Sequence, residues 1–90
     1  MRLVSIFGSK EQTKLLEHFL ENKGRVFNQA SLARFLDASP STIARVVQPL
    51  IRERIVLYER FQEGMKILCL NEEEEKTRVL LEFYEKIRRL

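Results

Sequence analysis

A mainly α-helical domain with a small antiparallel β-hairpin is the fold class that this 90-residue sequence predicts. Residues 29–55 read as two short amphipathic helices joined by a tight polar turn. Two β-prone runs follow, 55–61 and 65–70, and the short gap between them contains Gly64, as in a hairpin. With a helix at each end of the chain, the predicted order is α-β-α-α-β-β-α. That order is typical of a winged helix-turn-helix.

The composition limits the classes of function. Ninety residues suit one domain, 1–90, and the net charge of +3 is too small to identify a partner without its distribution. Cys69 has apolar neighbours, so we expect a small buried core residue and no redox role. No apolar run has membrane-spanning length and the N-terminus lacks a signal-peptide pattern, which predicts a cytoplasmic protein.

The first helix is predicted to begin after Ser9, a good N-cap that has Gln12 three residues later. Its apolar stripe comprises Leu15, Leu16, Phe19 and Leu20, and Gly24 is suited to its C-terminal end. Residues 2–7 could form a short strand or an extended arm, and 25–27 a short first strand.

The second and third helices have local start signals. Asn28 can cap residues 29–36, in which Leu32, Phe35 and Leu36 are predicted to point inward. Asp37 tolerates the left-handed conformation that a helix exit needs.

The third helix, about 40–53, has Ser39 as its expected N-cap and Pro40 as its first residue. Its core-facing stripe is Ile43, Val47, Leu50 and Ile51.

The outward face of the third helix has residue types that suit a DNA major groove. Arg45 could pair with guanine and Gln48 with adenine, Ala44 and Val46 could contact a thymine methyl group, and the helix start at Ser39 could bind a phosphate. Basic side chains on neighbouring segments are candidates for phosphate contacts. The candidate DNA-binding residues are Ser39, Ser41, Thr42, Arg45, Gln48, Arg34, Arg52, Arg60 and Lys66, with Arg54 as a further phosphate candidate.

The final segment, 72–90, is predicted to be a helix capped by Asn71, with four glutamates in its first turn and Tyr84 at the border of its apolar stripe. The stripe is long for a domain whose other helices can close a core, and exposed apolar surface often marks an interface. We therefore expect part of the stripe to pack on the first helix near Leu16 and Phe19 and the rest to form a homodimer interface, although the helix could instead fold fully onto its own domain. The candidate interface residues are Val79, Leu80, Phe83, Ile87 and Leu90.

Enzymatic chemistry has little support in the sequence. His18 has no Cys or Asp at ligand spacing, and the serines have no nearby histidine. There is no Gly-rich phosphate loop and no His/Cys cluster. We expect no catalytic activity, no metal and no cofactor.

Most of the chain resembles winged helix-turn-helix transcriptional regulators of the compact archaeal type. The matching features are FGSK before the first helix, SLARFLDASPSTIARVVQPLI across the two motif helices, and Leu-Asn-Glu after the hairpin. The resemblance implies double-stranded DNA binding through the third helix and dimerisation through terminal elements. Asp37 stands where glycine is common, and the hairpin tip QEG lacks the arginine often found there. A protein-interaction module in a larger complex is the alternative, which a buried outer face of the third helix would favour.

Overall fold

The order of helices and strands agrees with the order predicted from the sequence. The computed structural model describes residues 10–60, 64 and 66–90. The expected N-terminal strand or arm, the Ser9 cap and most of the hairpin tip lie outside these residues. The elements are α1 (Lys10–Glu21), β1 (Val26–Asn28), α2 (Gln29–Leu36), α3 (Pro40–Arg52), β2 (Val56–Arg60), β3 (Lys66–Leu70) and α4 (Glu75–Arg88).

The two predicted caps of the central helices are confirmed. The Asn28 side chain accepts a hydrogen bond of 2.7 Å from the Ser31 amide, and the Ser39 hydroxyl accepts one of 3.2 Å from the Thr42 amide. Each bond satisfies an amide that has no partner within its own helix.

The turn between α2 and α3 passes through the left-handed conformation at Asp37, with a φ of 53°. The Ala38 amide then donates to the Ala33 carbonyl at 2.9 Å, which closes the C-terminal end of α2. The turn therefore forms at Asp37 without glycine, as predicted.

The three strands form one antiparallel sheet in the order β1-β3-β2. Strands β2 and β3 are the predicted hairpin, and β1 adds to its β3 edge. Phe27, Leu68 and Tyr58 are aligned across the sheet, as are Val26, Cys69 and Leu57 on the opposite face. Leu68 is buried, whereas Val26 and Leu57 are exposed, so the first of these faces is the one that packs on the helices.

Helices α1, α2 and α3 and the sheet close one apolar core. From α4, Tyr84 is fully buried, although the sequence placed it at the border of the stripe. The hydroxyl of Tyr84 donates to the carboxylate of Glu21 on α1. Thr77 lies two turns earlier on the same face of α4 and is also fully buried. The core comprises Leu15, Phe19, Leu20, Leu32, Ala33, Ile43, Val46, Val47, Leu50, Ile55, Val56, Leu68, Leu70 and Tyr84.

The start of α4 was predicted wrongly. The helix begins at Glu75 with Glu74 as its N-cap, so only one of the four glutamates is in the first turn. Asn71 instead stays with the sheet: its amide donates to the Ile55 carbonyl at 2.8 Å and its side chain donates to the Arg54 carbonyl at 3.0 Å. These two bonds hold Asn71 against the segment that follows α3, and the helix starts only after it, at Glu75.

Phe35 was also predicted wrongly as an inward residue. Half of its side chain is exposed, and its ring stacks on His18 of α1 with 3.7 Å between the ring centroids. The ring of Phe27 is also close, with its centroid 4.9 Å from that of His18. The imidazole thus provides the packing partner that Phe35 would otherwise find in the core.

We predict that Thr77→Val stabilises the domain by about 1 kcal/mol, because a buried hydroxyl without a partner destabilises a protein. The Thr77 hydroxyl is buried and has no hydrogen-bond partner among the described residues. Valine keeps the shape and removes the hydroxyl. Thr77→Ser, which keeps the hydroxyl and loses the methyl group, should be less stable than the parent. Chemical denaturation measures both variants, and a Thr77→Val protein less stable than the parent would contradict the prediction.

The stability should depend on pH through His18. Burial lowers the pKa of His18 below its ordinary value of 6.5, against the opposing effect of the Glu21 carboxylate and with a smaller contribution from Arg25. The folded protein therefore takes up this proton less readily than the unfolded chain. The neutral His18 therefore contributes to the free energy of unfolding. This contribution is fully present above about pH 6.5 and is lost as the pH falls through the lowered pKa of the folded state.

Denaturation at pH 7.5 and pH 5.5 tests this dependence. The parent should lose more free energy of unfolding between the two pH values than His18→Gln, which cannot titrate. Equal losses in the two proteins would exclude His18 as the source.

Candidate nucleic-acid interface

Helix α3 has one buried face and one exposed face. Ile43, Val46, Val47 and Leu50 are buried in the core. Val46 had been assigned to the thymine contact, and that assignment is wrong because only 7% of the residue is exposed. It lies three residues after Ile43 and therefore shares the buried face. Ala44, the other residue considered for this contact, is exposed.

The exposed face of α3 carries most of the residues predicted to read DNA. Ser41, Arg45 and Gln48 are exposed, and Thr42 is half-buried. Arg45 and Gln48 are three residues apart and lie side by side on a helix. An arginine guanidinium and a glutamine amide on adjacent turns give this face a set of directional hydrogen-bond donors and an acceptor.

Three hydroxyl groups meet at the start of α3. The Ser39 hydroxyl lies 3.0 Å from the hydroxyls of both Ser41 and Thr42, besides capping the Thr42 amide. Ser39 was predicted as cap and as phosphate contact, and only its capping role is visible in these bonds. The cluster gives the exposed N-terminus of α3 a polar surface where the helix dipole is positive.

Basic side chains lie on α2, at the end of α3 and on the hairpin. Arg34 is exposed on α2, and Arg52 is exposed at the last residue of α3. Arg60 and Lys66 are aligned partners at one end of the hairpin strands. These four predicted phosphate contacts therefore lie beside the outward face of α3, on α2, on the hairpin and at the C-terminal end of α3 itself, and Arg54 is the fifth. Arg54 follows α3 with a φ of 63° and is exposed.

A cleft of about 340 Å³ separates α3 from the hairpin. It brings Gln48 of α3 together with Tyr58 and Lys66 of the hairpin, so one predicted base contact and one predicted phosphate contact share a surface. The same cleft is lined by Gln29, the first residue of α2. The remaining lining residues are Ile43, Ala44, Val47, Ile51 and Leu68.

Gln29 is a residue that the sequence analysis missed. Its side-chain amide donates a hydrogen bond of 2.7 Å to the Pro40 carbonyl, which joins the start of α2 to the start of α3. The bond connects residues on separate helices, and no local pattern in the sequence indicates it.

Glu11 is a second residue that the sequence analysis missed. Its carboxylate lies 4.0 Å from the guanidinium of Arg45, so α1 contributes a negative charge beside the outward face of α3. In the sequence, Glu11 is indistinguishable from the other acidic residues that favour the first turn of a helix.

Cys69 was predicted wrongly as a buried core residue. Cys69 is half-buried on the outer face of the sheet. Burial raises the pKa of its thiol, and the charge of Glu59 raises it further. A thiol with a raised pKa is a weak nucleophile at neutral pH. Within the described ranges, no three His, Cys, Asp or Glu side chains are grouped so that they could hold a metal ion.

The helices of the described part of the chain are also too short or too polar to cross a membrane.

No protein-family model matches the sequence, and no curated protein matches it. The solved structures that are similar in fold include the following three. A possible transcriptional regulator from Methanosarcina mazei Go1 is 18% identical with a TM-score of 0.65, and the match covers 90% of this chain and 70% of that one. The Staphylococcus aureus MepR–DNA complex is 14% identical with a TM-score of 0.66, and the match covers 89% of this chain and 67% of that one. The transcriptional regulator BldR from Sulfolobus solfataricus is 20% identical with a TM-score of 0.66, and the match covers 98% of this chain and 61% of that one.

The fold is therefore that of winged-helix transcriptional regulators. The chain spans 61% of the length of BldR and 70% of the length of the Methanosarcina protein. At these sequence identities the similarity establishes the fold, with the hairpin as its wing.

Proposed function

We propose that this domain is a cytoplasmic transcriptional regulator that binds double-stranded DNA at specific sequences, with α3 in the major groove. The observation that carries the proposal is the exposed polar face of α3. The buried face fixes the helix in the core, and Arg45 and Gln48 project from the opposite side. A helix of this size fits the major groove, where arginine and glutamine distinguish base pairs.

The basic residues around α3 support the same orientation. Arg34 on α2 and Lys66 on the hairpin lie on elements that pack against α3. A duplex lying on the exposed face of α3 would bring its phosphates toward both sides of the helix. Contacts of this kind fix the register of a protein on DNA while the base contacts select the sequence. The Ser39–Thr42 start of α3 would meet a phosphate through its backbone amides.

The similar solved structures support a regulatory role. Each of the three is described as a transcriptional regulator or a complex of one, and MepR was solved bound to DNA. We propose that this chain shares that activity and that its wing residues Arg60 and Lys66 approach the DNA backbone.

We further propose a homodimer built on α4. Val79 is 59% exposed and Phe83 is 40% exposed, and they lie four residues apart on one face of the helix. Leu90 is 82% exposed at the end of the chain, whereas Leu80 packs partly on the core of its own domain and Ile87 is half-buried. An exposed apolar stripe of this kind is unfavourable in water and favours association.

In a two-fold dimer, the two α3 helices would contact half-sites about one helical turn apart.

Replacing Arg45 tests the proposed base contact. A binding site is first selected from a random duplex pool, and binding of the variants to that site is then measured. Arg45→Ala should weaken binding to the selected site by about 1–3 kcal/mol and relax the preference at one base pair. Lys66→Ala should instead weaken binding to all duplexes similarly and reduce the salt slope by about one.

Arg88→Ala is the matched control, because it makes the same charge change on α4, where Arg88 pairs with Glu85. It should leave the preference unchanged. Selection of no duplex at low salt would contradict DNA binding, and an unchanged preference in Arg45→Ala would contradict the assignment of α3.

The dimer is tested by a pair of valine variants with similar exposure. Val79→Glu should raise the dimer dissociation constant by about tenfold or more, because it places a charge in an apolar contact. Val26→Glu is the control, since Val26 is 60% exposed on β1, away from α4. Sedimentation equilibrium at tens of micromolar measures both. A monomeric parent protein, or equal effects of the two substitutions, would contradict an interface on α4.

A further inference from the structure

One carboxylate lies beside the guanidinium that is proposed to read DNA. The Oε2 atom of Glu11 is 4.0 Å from Nη2 of Arg45, and the two side chains are 57% and 73% exposed. Arg34, Arg52, Arg60 and Lys66 form no such ion pair within the described residues. The contact therefore singles out the arginine at the centre of the outward face of α3.

We infer that Glu11 is a positioning residue for Arg45 and determines specificity by making this arginine a poor phosphate ligand. The inference rests on the proposed function and deepens it. Glu11 does not itself contact DNA in this view, and it acts through the guanidinium of Arg45.

The physical basis is the difference between a phosphate contact and a base contact. A nonspecific contact between arginine and DNA depends on net charge and on the release of counterions from phosphate. A guanine contact depends on two parallel N–H donors that meet two acceptors on the base edge. A neighbouring carboxylate offsets the positive charge of Arg45 toward a phosphate. The carboxylate engages one terminal nitrogen of the guanidinium. Because the guanidinium has five N–H donors, the others stay free for a base edge.

Both partners are held by rigid elements. Glu11 is in the first turn of α1, where a negative charge is favoured by the helix dipole. Leu15 and Phe19 of α1 and Ile43 and Val47 of α3 are buried in the same core. The two helices therefore keep the carboxylate and the guanidinium near each other, and only the side-chain torsions have to be ordered.

The size of the effect is limited by exposure to water. Exposed ion pairs contribute little, so removal of Glu11 should change binding by about two- to fivefold. A small effect is measurable when it appears as a ratio of affinities for two duplexes under the same conditions.

The test compares the full chain with Glu11→Gln on the selected duplex and on a scrambled duplex of equal length. The variant should bind the scrambled duplex about two- to fivefold more tightly, and the ratio of specific to nonspecific affinity should fall by a similar factor. The salt slope for the scrambled duplex should become steeper by about one, because the released Arg45 can contact a phosphate. A purely structural role for Glu11 would not steepen this slope.

Two controls separate this mechanism from a general change in charge. Glu82→Gln makes the same charge change on α4, where Glu82 pairs with Lys86, and should leave the affinity ratio unchanged. In an Arg45→Ala background, Glu11→Gln should also leave the ratio unchanged, because the residue through which it acts is gone. Thermal unfolding confirms that each variant is folded.

The possible results are distinct. An unchanged affinity ratio in Glu11→Gln overturns the inference, and so does an equal fall of the ratio in the Arg45→Ala background. If the parent protein selects a sequence and the ratio does not change, only the role of Glu11 is rejected. If the parent selects no sequence, the proposed function fails and this inference fails with it.

Discussion

The structure depends on the position of α3, which has one face in the apolar core and the other in solvent. Helix α3 contributes four buried apolar residues to a small core and exposes polar residues of the same two turns to solvent. A domain of this size has few other residues with which to fill its interior, so the buried face of α3 cannot rotate without opening a cavity. The direction of Arg45 and Gln48 is consequently fixed by Ile43 and Val47 on the other side of the helix.

Polar contacts at both ends of α3 restrict the remaining freedom. At its start, the Gln29 side chain donates a hydrogen bond to the Pro40 carbonyl, and the turn at Asp37 closes the end of α2. At its end, Asn71 binds the Arg54 carbonyl, and Lys76 of α4 forms a 3.0 Å ion pair with Glu53, the C-cap of α3. The exposed ion pair contributes little energy, but the hydrogen bonds give the helix a defined entry and exit.

The sequence predicted the elements whose signals are local. Asn28, Ser39 and Pro40 act within one turn of their own position, and for that reason the starts of α2 and α3 were found correctly. The start of α4 was misplaced because Asn71 bonds to a segment 17 residues away. Phe35 and Val46 were placed on the wrong faces for a related reason: a helical stripe does not show how wide the buried face is, nor that His18 of another helix will cover a ring. The neighbours Gln29 and Glu11 became visible only when the helices were assembled.

The apolar residues of α4 lie in two different environments. Thr77 and Tyr84 point into the core, and Leu80 and Leu81 pack against it, whereas Val79 and Phe83 on the adjoining face are exposed. The sequence predicted that part of the stripe would pack on its own domain and that the rest would stay exposed, and the structure places Leu80 in the first part and Val79 and Phe83 in the second. Asn71, which precedes α4, and Lys76 in its first turn contact the end of α3, so a partner bound to the exposed face would be connected through these contacts to the helix that carries Arg45. The geometry of a dimer on α4 would then set the distance between two α3 helices, and through it the spacing of the sequences that the protein can read.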